Sequence, residues 1–284
     1  MDIWYRFVEA LLPFDWARFT FMKNALLAVI LVSPLFALIG TAVVGKRMVF
    51  FSEVLGHSAL TGVAIGVIMG LADPQVSILG FAVLLAVAVN VLKLTTNAAS
   101  DTVLGVLMAV VVAVGVVILS AGRGFGQYTS YLIGDILAVT PGQIARLALG
   151  AVLVLAFWAA AGNALVLTAM DRSLGKSRGL NIFLVETVFS VVLAVVVTLS
   201  IRLVGILIIN SLLVLPAAAA RTISSNMKEY TLWSVLFSVV SGICGLIASY
   251  YWGTASAATI VLFAAFFYAS AALIGIARKR RPAL

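Results

Sequence analysis

Glu53 and His57, the latter the only histidine of the chain, stand four residues apart within MVFFSEVLGHSALTGVAIG. A carboxylate and an imidazole at i and i+4 fall on one face of a helix, near enough to share a ligand. One nitrogen with one or two oxygens suits zinc, manganese or ferrous iron. The stretch carrying them otherwise reads as a membrane-spanning helix, where a central charged residue costs about 2.5–3.5 kcal/mol on transfer scales. Residues held at that cost face a cavity or one another, which makes the pair the first functional candidate. The structural alternative is a Glu–His hydrogen bond that only joins helices. Counted inward from Arg47, Glu53 lies at about 9 Å and His57 at about 15 Å, close to the middle of a hydrocarbon core about 30 Å thick. Two ligands are few for tight binding, and that suits an ion that must also leave.

Other polar residues carry weaker signals. Asp135, in LIGDIL, is a candidate for the entrance of a path or, more plainly, a capping residue. Asn210 and Ser211 interrupt the apolar run that ends at Pro216 and are candidates for lining a path. Glu186 stands one turn into a helix starting near Asn181, where its charge complements the helix N-terminus and Arg178. Gly40-Thr-Ala-Val-Val-Gly45-Lys46-Arg47 nearly spells a phosphate-binding loop. It has Arg47 where the magnesium-binding hydroxyl belongs, and it ends a membrane helix instead of joining a strand to a helix. The chain is therefore not expected to bind or hydrolyse ATP itself, nor to be an enzyme; no serine-hydrolase or HExxH signature accompanies His57. Cys244 stands alone, which excludes an internal disulfide and a cysteine-based metal cluster.

The elements that must position these residues are helices in a bilayer. Of 284 residues 64% are hydrophobic and 10% charged, against about 25% charged in a soluble domain. The apolar runs are long and do not alternate, so the fold class is all-α, a polytopic helical bundle and not a barrel. Residues 1–20 read as an interfacial helix with Ile3, Trp4, Phe7, Val8 and Leu11 on one face and Asp2, Arg6 and Glu9 on the other, ended by Pro13. Spans follow at about 22–44, 49–70, 76–93, 103–121, 146–168, 182–201, 204–220, 231–251 and 256–277. The 204–220 run is short and open to being broken partway across. An eight-span count is the main rival to nine.

The net charge of +8 is topogenic and gives no reason to expect nucleic acid. With nine spans and the tail Arg278-Lys279-Arg280-Arg281 in the cytoplasm, most Lys and Arg fall inside. GQYTSYLIGDILAVTP, around 126–141, is then an outer segment too polar to span. The loop at 169–181, AMDRSLGKSRGLN, is then a cytoplasmic connector or a short docking helix for a soluble partner. The whole chain, 1–284, reads as one membrane domain.

Three stretches carry a resemblance to a known family. KRMVFFSEVLGHSALTGVAIG, MDRSLGKSRGLN and VGILIINSLLVLPAAAAR, with SYLIGDIL and SYYWGTASAATIVL in order, are similar to the permeases of ATP-binding-cassette importers for zinc, manganese and ferrous iron. The resemblance implies the compact bundle of type II importers, with two permease subunits, expected as a homodimer, around a central path. It implies a cytoplasmic ATPase dimer docked on Asp171, Arg172, Ser173, Leu174, Gly175, Lys176, Ser177, Arg178 and Gly179, and an extracytoplasmic protein delivering the metal. It assigns the metal to Glu53 and His57, although the family's acid is commonly Asp. No permanently bound cofactor is implied: the divalent metal is cargo, with zinc placed first and manganese or iron next, and ATP acts only through the partner. The expected location is the bacterial cytoplasmic membrane. The alternatives are a cobalamin- or iron-chelate-type permease of the same class and a stand-alone secondary metal transporter.

Overall fold

The computed structural model describes residues 2–11, 14–71, 73–95, 100–121 and 135–280. They form α1 (Asp2–Leu11), α2 (Thr20–Gly45), α3 (Val49–Ile68), α4 (Gln75–Thr95), α5 (Ser100–Ala121), α6 (Pro141–Met170), α7 (Arg172–Ser177), α8 (Ile182–Ile223), α9 (Met227–Trp252) and α10 (Ser256–Arg280). Short 3-10 turns occupy Asp15–Arg18 and Ile136–Ala138, and the described residues contain no strand. Eight helical stretches among them are long and apolar enough to cross a membrane. The ninth expected span is the shorter Ile208–Ile223. Expected segments falling at 12–13, 122–134 and 281–284 lie outside the described residues, among them Pro13, the first part of the polar 126–141 stretch and Arg281.

Two helices begin earlier than hydropathy predicts, and capping explains both. Pro141 occupies the first position of α6, where its missing N–H costs nothing. The Thr140 amide and hydroxyl both donate to Gln143 Oε1, at 2.8 and 3.0 Å. Asn226 Oδ1 caps α9 by accepting from the Glu229 amide at 2.9 Å, and Glu229 accepts back from Asn226 Nδ2 and the Ser225 amide. These polar turns add no hydropathy, so a window average passes over them.

Contacts divide the chain into two compact units: residues 1–44, 135–152 and 207–284, and residues 45–134 and 153–206. In the first, α9 runs along α2 through a row of hydroxyls. Ser238 Oγ donates to the Ser33 carbonyl at 2.9 Å, Ser234 Oγ to Ala37 at 3.3 Å and Tyr230 Oη to Thr41 at 3.4 Å. Interhelical bonds of this kind average about 0.6 kcal/mol in a bilayer, where lipid offers no competing hydrophobic drive. In the same unit α1 is clasped to α2. Trp4 Nε1 donates to the Lys23 carbonyl at 3.0 Å, Tyr5 Oη to Asn24 Oδ1 at 2.8 Å, and Lys23 pairs with Glu9. Glu9 keeps the exposed position expected of the polar face, with 56% of its side chain open. Lys23 is 3% exposed, and an unpaired buried ammonium is costly enough to draw the carboxylate toward it. Ile3 and Phe7 are exposed as well.

In the second unit α3 is the most buried span, and it packs on α4 and α5. The approach is backbone to backbone: a Cβ on Gly62 would stand 2.6 Å from the Ile78 Cα, so only glycine fits. Thr61, one residue before, donates its hydroxyl to the Val111 carbonyl of α5. α8 begins in this unit and ends in the other. The break expected partway along 204–220 is not there: the chain departs from helical geometry at Gly205, at the start of that run, with φ 78 and ψ 160, a conformation glycine alone adopts at low cost. Pro216 lies inside helix and does not break it.

Candidate functional site

From Phe51 to Ala64 the side chains of α3 are buried at every position except Glu53 and His57, which are half-open. Helical periodicity puts the two on one stripe, and packing against α4 and α5 closes the rest. The neighbouring hydroxyls turn back on their own helix: Ser52 Oγ donates to the Val49 carbonyl at 2.7 Å and Ser58 Oγ to Leu55 at 2.7 Å. The carboxylate and the imidazole are thus the polar groups that this stretch of α3 presents outward. The Glu–His hydrogen bond of the structural alternative is not formed. A half-open face also lowers the desolvation cost of the pair relative to full burial in hydrocarbon. Among the described residues no group of three or more His, Cys, Asp or Glu gathers to hold a metal, so one chain offers two donors here.

The remaining path candidates belong to the other compact unit. Asp135 is exposed and caps the Ile136–Ala138 turn, accepting from the Leu137 amide at 2.9 Å. Its plain reading as a capping residue describes this geometry. Asn210 is half-buried, and its Oδ1 has no hydrogen-bond partner among the described residues. Ser211 beside it is half-buried.

The 169–181 segment contains a helix. Asp171 caps α7, accepting from the Ser173 amide at 2.7 Å and the Ser173 hydroxyl at 2.8 Å. The hydroxyl bond, followed by the backbone bond, holds the Asp171 carboxyl below its ordinary value. Arg178 closes the helix, and Gly179, at φ 74, reverses the chain. Asn181 then caps α8 by accepting from the Leu184 amide at 3.1 Å. The underside of α7 is seated through Gly175, where a Cβ would meet Ile182 Cδ1 at 2.8 Å and Thr168 Cγ2 at 3.1 Å. The opposite side leaves Ser173, Leu174, Lys176, Ser177 and Arg178 exposed, a short polar surface with one apolar knob. The side chain of Arg172 lies outside the described residues.

The near match to a phosphate loop is settled by local structure: Gly40 to Gly45 are ordinary helical residues of α2. Sequence reasoning passed over Lys93 and Asp101 and read Lys46 and Arg47 only as a span edge; all four share a cavity with Asp171 and Glu186. Each lies at the end of a span, and that common position was the available signal.

Comparison with known proteins places these features in context. The profile of the ABC 3 transport family matches residues 18–275. The chain is 32% identical over 255 residues to the high-affinity zinc uptake system membrane protein ZnuB of Haemophilus influenzae, covering 88% of this chain and 96% of the relative. It is 24% identical over 269 residues to the manganese transport system membrane protein MntC of Listeria monocytogenes, covering 93% and 96%. Among solved structures, a chain of PsaBC from Streptococcus pneumoniae, in complex with Fab, superposes with a TM-score of 0.77 at 25% identity over 95% of both chains.

Proposed function

The chain belongs to the ABC 3 transport family, and from that premise we propose that it is the permease through which a divalent transition metal, zinc before manganese or ferrous iron, enters the cytoplasm. The observation that carries the reading is the half-open stripe of α3. Glu53 and His57 are the two positions between Phe51 and Ala64 that packing leaves available to an ion. Two copies of the chain about a two-fold axis would present two carboxylates and two imidazoles, a mixed nitrogen–oxygen set for zinc or manganese. The names of the relatives support the ranking, since the zinc-uptake protein is the more similar of the two.

In this reading α7 faces the cytoplasm and receives an ATPase subunit on Leu174 and the polar residues around it. Its seat on Thr168 and Ile182 ties it to the ends of α6 and α8. Closure of the ATPase pair would therefore move both helices together and open the path alternately to either side. A binding protein on the outer face would deliver the ion. The pair on α3 would hold it briefly, because a site that releases its cargo each cycle gains nothing from very tight binding.

The test is uptake of radioactive zinc by the assembled transporter in proteoliposomes, with manganese and ferrous iron as competitors. His57→Ala should abolish uptake while ATP hydrolysis persists. Undiminished uptake by that variant would remove the site, and indifference to all three metals would remove the cargo.

A further inference from the structure

A cavity of about 460 Å³ opens in the second unit, lined by Lys46, Arg47, Lys93, Asp101, Asp171 and Glu186, with Asn90 and Thr168 among its other residues. Its place is set by where the spans stop. Gly45 ends α2, Lys93 ends the apolar stretch of α4, Asp101 starts that of α5 and Ala169 ends that of α6, and all of them line it. The termini of spans on one side of a bilayer lie at the level of the lipid headgroups. The volume falls within the range of small-ligand sites and would hold about fifteen waters at ~30 Å³ each.

The lining carries three cations and three carboxylates, which narrows the ligand. A simple anion would meet the carboxylates, and a bare metal ion or a polyamine would meet the cations. A zwitterion with a phosphate at one end and a primary amine at the other answers both. The phosphate accepts from Lys or Arg, and the ammonium donates to carboxylates. Several of these groups are positioned by the fold. Lys46 Nζ donates to Thr168 Oγ1 at 2.7 Å, and Lys93 Nζ stands 5.9 Å from the centre of the Phe51 ring. Arg47 is held at φ 56, a left-handed conformation uncommon outside glycine, in the three-residue connection between α2 and α3.

We infer that this cavity binds the phosphoethanolamine headgroup of a membrane lipid. The bilayer supplies that chemistry at this depth, and the occupant would touch Asp171, the cap of α7. The headgroup would thereby bridge α7 to the ends of α2, α4 and α5. Soluble phosphoethanolamine carries the same chemistry and is the other source to exclude.

The experiment uses the full chain in nanodiscs containing phosphatidylethanolamine, phosphatidylglycerol or phosphatidylcholine, followed by mild detergent extraction and native mass spectrometry of retained lipid. Phosphatidylethanolamine should be retained selectively. Arg47→Asn, which tolerates the left-handed turn, and Asp101→Asn should each lower retention about tenfold, the loss expected of one charge-assisted contact. Both residues are exposed, and the melting temperature of each variant verifies folding. Equal retention of phosphatidylglycerol, or retention indifferent to both substitutions, overturns the proposal. Thermal protection by soluble phosphoethanolamine without selective lipid retention overturns the lipid source.

Discussion

His57 lies one helical turn beyond Glu53 on α3, and the three residues between them are buried while these two are half-open. Packing has therefore sorted the turn, sending Val54, Leu55 and Gly56 into the unit and leaving Glu53 and His57 half-open. If the pair is the ion's resting place, Glu53→Gln should lower zinc uptake at least about 100-fold, since a lost ligand costs no less than a lost supporting contact. Glu53→Asp should keep uptake and shift the zinc-to-manganese preference, because the carboxylate retreats by one methylene. Competition uptake assays read both outcomes.

Gly62 locks the helix that carries the pair. A Cβ there would stand 2.6 Å from a backbone atom of α4, Ile78 Cα, which cannot move aside as a side-chain tip can. Gly62→Ala is expected to destabilise the chain by about 1–3 kcal/mol through overpacking. Thermal unfolding in detergent measures it, and Gly80→Ala, with open space around it, serves as the neutral control.

Gly205 holds the break in α8 at φ 78 and ψ 160. Alanine there is strained by about 1–3 kcal/mol, or straightens the helix. Gly205→Ala should lower both the melting temperature and uptake, whereas Pro216→Ala, at a position already helical, should leave the path of the chain unchanged. Hydrogen exchange across residues 201–209 distinguishes a strained break from a straightened one.

The cap of α7 has a defined pH dependence. Ser173 holds the folded Asp171 carboxyl below its ordinary value of 3.8, so the cap's contribution is complete above that value. It is lost only as pH falls through the depressed folded value. Transport should therefore show no break attributable to this group around neutral pH. Asp171→Ala should remove the cap at every pH and separate ATP hydrolysis from uptake, and Asp171→Asn, which keeps an acceptor for the Ser173 amide, should restore most coupling.

Leu174 is 48% exposed on the outer side of α7. Leu174→Asp should release the ATPase on size-exclusion chromatography without lowering the thermal stability of the permease. Retention of a stoichiometric ATPase would place the docking surface elsewhere.

The sequence by itself determined the helices, because unbroken apolar runs in lipid must satisfy their backbone internally. It also determined that Glu53 and His57 share a face, since that follows from the helical repeat alone. The starts of α6 and α9 were legible in Thr140–Gln143 and Asn226–Glu229, although a hydropathy window blurs such polar turns. Only the tertiary structure decided which stripe of α3 stays open, because that depends on α4 and α5 closing over the others. It paired the exposed Glu9 with a buried lysine, and it put the break of α8 at Gly205 where Pro216 was the louder signal. It also drew Lys46, Lys93, Asp101 and Glu186 into one cavity from helix ends far apart in sequence. Local pattern fixes what a helix is and which residues share its faces, while long-range packing alone fixes which face meets a neighbour and which is left for a ligand.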